Sequence, residues 1–128
     1  MGLEEYRFSK EHEWVRVVQG RTALIGITDY AQKQLGDVVF LSVPEGGARV
    51  RQFQKFGEIE SVKAVSDLFA PASGRVVEVN GEAVQHPELV NQDPYERGWL
   101  LRVELDDLKD LERLMSHNDY QSMVQGKT

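Results

Sequence analysis

The 128-residue chain contains no cysteine. That absence removes disulfides, thiolate nucleophiles, iron–sulfur clusters and cysteine-type zinc sites, and it suits a reducing compartment. Positive charge is scarce: 15 Lys and Arg stand against 21 Asp and Glu, a net charge of −6. A chain this acidic lacks the basic footprint of a nucleic-acid binder. No apolar run approaches the roughly 20 residues that span a bilayer. The opening Met1-Gly2-Leu3-Glu4-Glu5-Tyr6 has neither a basic nor an apolar signal region. The expected setting is the cytoplasm, or the mitochondrial matrix for a processed organellar form. Hydrophobic residues (41%) and charged residues (28%) are in globular proportion, so a folded core is expected. One domain is expected over 1–128, with a core over about 6–105 and a helical tail over about 106–124.

Enzyme signatures are also missing. There is no G-x-S-x-G, no G-x-G-x-x-G and no Walker A pattern. The histidines, His12, His86 and His117, do not pair at i+3 or i+4 as a helical metal site requires. His12 and Glu13, read as neighbours on a strand, are expected on opposite faces. No catalytic constellation and no metal site emerge. Trp14 and Trp99 read as core residues within strands, and Gly46, Gly47 and Gly74 as turn glycines.

What is present is a series of short strands. Residues 12–18 alternate, with Trp14, Arg16 and Val18 on one face and Val15 and Val17 on the other. Gly20 turns this strand into Thr22–Ile27. Asp29 as cap, Gln32 three residues on, and Gly36 as stop predict a helix with Ala31 and Leu35 on one face. The near-continuous apolar run Val38–Val43 predicts a strand buried on both faces. Further strands are expected over 57–62, 64–69, 75–80 and 99–105. Residues 81–95 read as loop with one helical turn near Glu88–Val90. After Asp106-Asp107, Leu108, Leu111 and Leu114/Met115 recur at helical spacing. A second short helix starting at Ser116 buries Tyr120, Met123 and Val124.

Lys63 interrupts an apolar stretch, Ile59-Glu60-Ser61-Val62-Lys63-Ala64-Val65. Small neighbours and an expected hairpin tip leave its amine sterically open to a modifying enzyme. The plain alternative is an ordinary solvated turn lysine.

Glu60-Ser61-Val62-Lys63-Ala64, followed by Ser66-Asp67 and Ala70-Pro71, resembles the lipoyl-attachment site of the glycine cleavage system H protein family. Other segments resemble the same family in order: Lys10-Glu11-His12-Glu13-Trp14, Gly26-Ile27-Thr28-Asp29-Tyr30-Ala31, Leu35-Gly36-Asp37, Pro44-Glu45-Gly46-Gly47, Pro87-Glu88-Leu89-Val90-Asn91, Pro94-Tyr95 and Gly98-Trp99. The resemblance spans about Tyr6 to Tyr120. It implies a mainly β fold, a flattened lipoyl-domain-like barrel of two apposed sheets with small helices, including the C-terminal tail.

The resemblance further implies lipoic acid in amide linkage to Lys63, within the context of Glu60, Ser61, Val62 and Ala64, and no catalytic residue. The sulfur chemistry then belongs to the cofactor, which reconciles a redox carrier with a chain free of cysteine. The implied partners are glycine decarboxylase, aminomethyltransferase, dihydrolipoyl dehydrogenase and a lipoate-attaching enzyme, serving a monomer. The carried aminomethyl group is a cation, and carboxylates are its strong acceptors. On that chemical ground, not on the resemblance, Glu13 and Asp67 are the candidate sheltering residues, with Glu11 a weaker third; the plain alternative is that both are solvated surface carboxylates.

Three rivals can be weighed. A biotinyl-type carrier usually has Met on both sides of its lysine, where this chain has Val62 and Ala64. The lipoyl domains of 2-oxoacid dehydrogenase complexes are shorter and lack the Asp29–Leu35 helix and the tail. A Schiff-base lysine should be buried to lower its pKa, unlike a hairpin-tip amine. Use as a lipoyl donor to 2-oxoacid dehydrogenase complexes is a further reading that the sequence leaves open.

Overall fold

A computed structural model describes residues 3–126. Among them, nine strands form two antiparallel sheets. The larger takes β1 (Tyr6–Phe8), β2 (Glu13–Gln19), β3 (Thr22–Ile27), β9 (Leu101–Leu105), β8 (Gly74–Val79) and β5 (Arg49–Val50) in that spatial order. The smaller is β4 (Val38–Ser42), β6 (Lys55–Ser61) and β7 (Val65–Phe69). The expected two-sheet, mainly β architecture is present. The core between the sheets gathers Val15, Ile25, Leu41, Ile59, Leu68, Val76, Leu101 and Val103.

The alternation read over β2 holds. Trp14 and Val15 are both fully buried but join different clusters. Val15 enters the main core. Trp14 enters a second cluster with Tyr6, Phe8, Leu24 and Tyr120. That cluster exists because the last helix, α4 (His117–Gly126), covers the outer face of β1–β3. The Trp14 indole N–H donates to the carbonyls of Ile27 and Pro94, at 2.9 and 3.1 Å. Trp99 is only partly buried, with the Arg102 guanidinium over its ring.

Several expectations need correction. The cap of α1 (Asp29–Leu35) is Thr28, not Asp29. The Thr28 hydroxyl accepts the Ala31 N–H at 3.1 Å. Asp29 sits in the first turn and pairs with Lys33. The β4 strand is not buried on both faces: Val39 and Phe40 are exposed. β4 is an edge strand whose register with β6 shifts between Val38 and Phe40, and that irregularity breaks the alternation. Residues 81–95 hold two short helices, α2 (Gly81–Gln85) and α3 (Glu88–Gln92), rather than mostly loop. The Asn80 side chain caps α2. Gly74 opens a strand instead of making a turn. A Cβ there would lie 2.3 Å from the Glu104 carbonyl oxygen, so close strand approach demands glycine. The leucines after Asp107 form a 3-10 helix over Leu108–Arg113, capped by Asp107. Ser116 accepts the Asp119 N–H at the start of α4, which buries Tyr120 as expected. Strands β1 and β5 lie where no strand was expected.

Candidate functional site

The turn between β6 and β7 is Val62-Lys63-Ala64. Buried Ser61 organises it. Its hydroxyl oxygen accepts the N–H groups of Lys63 (3.2 Å) and Ala64 (3.1 Å), and its own N–H donates to the Ala64 carbonyl at 2.8 Å. The Val62 N–H donates to the Asp37 carbonyl at 3.0 Å and holds the tip against the corner between α1 and β4. Gly36 ends α1 at φ +82°, a left-handed value that favours glycine. The Lys63 stem crosses this glycine: a Cβ at Gly36 would stand 3.4 Å from Lys63 Cε. Asn91 of α3 pins the corner. Its Oδ1 accepts the Val38 N–H, and its Nδ2 donates to the Gly36 carbonyl and to Gln32 Oε1, each at 2.9 Å. Lys63 itself is exposed. Phe40, Glu60 and Val65 form one row across the smaller sheet, and Val62 is exposed beside them.

A cavity of about 430 Å³ begins one residue past Lys63. Ala64, Ser66 and Asp67 form one wall. Glu11, His12 and Glu13 form another, and Tyr30, Gln34 and Leu35 of α1 a third. The structure therefore brings Glu13 and Asp67 to one cavity, with Glu11 also on its wall. Glu13 is only 2% exposed. Its Oε1 accepts from the Ser9 hydroxyl at 2.8 Å and its Oε2 from the Phe69 N–H at 3.0 Å. Burial pushes its carboxyl up to about 8, against those two donors, which favour the ionised form. Asp67 is half exposed and ion-paired to Lys55 at 3.2 Å.

His12 does not point away from Glu13: both line this cavity. His12 has φ +75° and precedes β2, so strand alternation does not reach it. Its Nδ1 lies 2.7 Å from the Tyr120 hydroxyl, which lies 2.7 Å from Thr28 Oγ1. Sequence reasoning missed this trio because its members are 16 and 92 residues apart in order, and no periodicity joins them. It also missed Asn91 as a structural pin, although that residue stands in a matched motif. Among the described residues no cluster of three His, Cys, Asp or Glu could hold a metal ion, and no helix is long and apolar enough to cross a membrane.

Residues 6–127 match the model of the family described as glycine cleavage H-protein. A glycine cleavage system H protein of Brevibacillus brevis is 55% identical over 118 residues, covering 92% of this chain and 93% of that protein. One from Carboxydothermus hydrogenoformans is 48% identical over 122 residues, covering 95% and 93%. The crystal structure of a glycine cleavage system H protein from Mycobacterium marinum superposes with a TM-score of 0.86 at 38% identity, covering 96% of this chain and 98% of that one.

Proposed function

The chain belongs to the glycine cleavage H-protein family, and from that premise we propose that Lys63 bears lipoate in amide linkage and presents it in turn to the enzymes of the glycine cleavage system. The aminomethyl group of glycine would be received at glycine decarboxylase and surrendered at aminomethyltransferase, with reoxidation at dihydrolipoyl dehydrogenase. When bound, lipoate supplies the disulfide and dithiol chemistry that a cysteine-free chain does not have. The chain's own work is presentation. Tethering converts each encounter with the cofactor into a local event at raised effective concentration. Catalysis is assigned to the partners. The bacterial sources of the relatives favour a cytoplasmic carrier.

One observation carries this reading: the hairpin that exposes Lys63 also builds, with its return strand, the wall of a cavity containing Glu13 and Asp67. A flexible attachment at Lys63 has both open water and an acid-lined recess within its surroundings. The turn fits the group, since Val62, Lys63 and Ala64 are all exposed and Ser61 fixes the backbone beneath them. The apolar side chains of Phe40, Val62 and Val65 around Lys63 offer a docking face to enzymes that must handle the attached group.

Glu13 and Asp67 would hold the ammonium of the carried group away from water. Asp67 supplies a carboxylate from the hairpin side, and Glu13 one that becomes ionised when a cation approaches.

The test is reconstitution with the three partner enzymes, comparing the lipoylated protein with Lys63→Arg. The variant should keep its fold and lose all transfer from glycine to tetrahydrofolate. Undiminished transfer by Lys63→Arg would refute the assignment.

A further inference from the structure

The buried contact among Thr28, Tyr120 and His12 has a direction set by counting hydrogens. Thr28 is fully buried and caps α1, so its oxygen already accepts the Ala31 N–H. Among the described residues its own hydroxyl hydrogen has one acceptor in reach, the Tyr120 oxygen at 2.7 Å. Tyr120, also buried, must then send its hydrogen to the other neighbour, His12 Nδ1 at 2.7 Å. The opposite direction leaves the Thr28 hydrogen unsatisfied in a dry site, a costly state. All three hydrogens are used only in the order Ala31 to Thr28 to Tyr120 to His12.

We propose that Tyr120 is a positioning residue for the cavity: from the C-terminal helix it fixes His12 as the neutral tautomer with its hydrogen on Nε2, giving the cavity wall a hydrogen-bond donor and no second positive charge. The inference rests on the reading that the cavity receives the group attached at Lys63. A neutral N–H donor suits the acceptors of that group, its sulfur atoms and amide oxygen. An imidazolium would instead repel the ammonium assigned to Glu13 and Asp67. Protonation of Nδ1 would turn the Tyr120 hydroxyl back toward Thr28 and strand the Thr28 hydrogen.

The surroundings act in the same sense on balance. Burial holds the His12 pKa below its ordinary value, with Glu11 opposing. Glu13 and Glu11 face the cavity from the same segment, Tyr30 of α1 packs on the imidazole ring at 4.9 Å, and Asp67 stands on the hairpin wall. Burial also raises the Tyr120 hydroxyl to about 12, so it remains a donor. The α4 helix thus reaches the cavity through one hydroxyl, although α4 itself lies on the far side of β1–β3 from the main core.

The first test needs no lipoate. In the unmodified, 15N-labelled protein near pH 7, His12 should show a bare Nδ1 and a protonated Nε2, with the Tyr120 hydroxyl proton correlated to Nδ1. A proton on Nδ1, in either the other tautomer or the imidazolium, would overturn the proposal. The second test uses the lipoylated, aminomethyl-loaded protein. Tyr120→Phe and His12→Asn should each shorten the lifetime of the loaded form in buffer severalfold, while lipoylation proceeds normally. The double variant should be no shorter-lived than His12→Asn alone, because Tyr120 acts through His12. Additive losses, or unchanged lifetimes in both single variants, would refute the positioning role. If the cavity does not hold the group at all, Glu13→Gln and Asp67→Asn will also leave the lifetime unchanged, while the nitrogen assignment still stands or falls by itself.

Discussion

The Glu13 carboxylate accepts the Phe69 N–H at 3.0 Å, so a buried acid at the start of β2 in one sheet is bonded to the end of β7 in the other. This contact ties the hairpin's return strand to the segment that carries His12. It also places a titratable group where burial dominates its chemistry.

The first prediction concerns pH. Glu13 loses its proton near 4.5 in its ordinary state and near 8 in the fold. Between those values the native protein holds a proton that the unfolded chain has released. The stabilisation is therefore complete below about pH 4.5 and is lost as pH rises through about 8. The decline from this group has a ceiling of about 1.4 kcal/mol per pH unit. Glu13→Gln should flatten the decline between pH 5 and 8 in denaturant titrations. An equally steep decline in the variant would contradict the assignment.

Ser61→Ala should loosen the presenting turn. It removes the acceptor of two backbone N–H groups, those of Lys63 and Ala64. A loss of about 1–2 kcal/mol is expected, measured by denaturant unfolding. Lipoylation at Lys63 should slow because the turn is less ordered, and a time course with the attaching enzyme reads this directly.

Asn91→Ala removes three hydrogen bonds that pin α1 and β4 from α3. The unfolding free energy should fall by about 2–3 kcal/mol. Amide exchange should rise at Val38 and at Val62, whose N–H is held by the Asp37 carbonyl. Exchange confined to α3 would argue against a role for Asn91 in fixing the hairpin.

Glu13→Gln and Asp67→Asn should each shorten the lifetime of the aminomethyl-loaded protein in buffer by about tenfold, the effect of losing one charged hydrogen bond worth roughly 1.4 kcal/mol or more. Mass spectrometry of the loaded form over time measures this. Because Asp67 also pairs with Lys55, Lys55→Met is the control that separates loss of the ion pair from loss of the acceptor.

Much of this was legible in the residues. Alternation identified β2 and β3, Gly20 marked the turn between them, Gly36 marked the end of α1, and Lys63 stood out as a lysine in an apolar stretch. The features that escaped depend on contacts distant in sequence. Val39 and Phe40 are apolar yet exposed, because an edge strand with a register shift turns them outward. Strand alternation separated His12 from Glu13, and a left-handed residue brought them together. Glu13, a charged residue by type, is buried because Ser9 and the Phe69 N–H satisfy both its oxygens. The direction of the Thr28–Tyr120–His12 chain required positions that no local pattern encodes.

The most direct measurement is peptide mapping of the protein after incubation with a lipoate-attaching enzyme and lipoate. Lys10, Lys33, Lys55, Lys63, Lys109 and Lys127 all offer amines. The expected result is lipoate on the peptide containing Lys63 and on no other, with Lys63→Arg unmodified. Lipoate on a different lysine, or a Lys63→Arg variant modified as fully as the parent, would contradict the carrier assignment at its root.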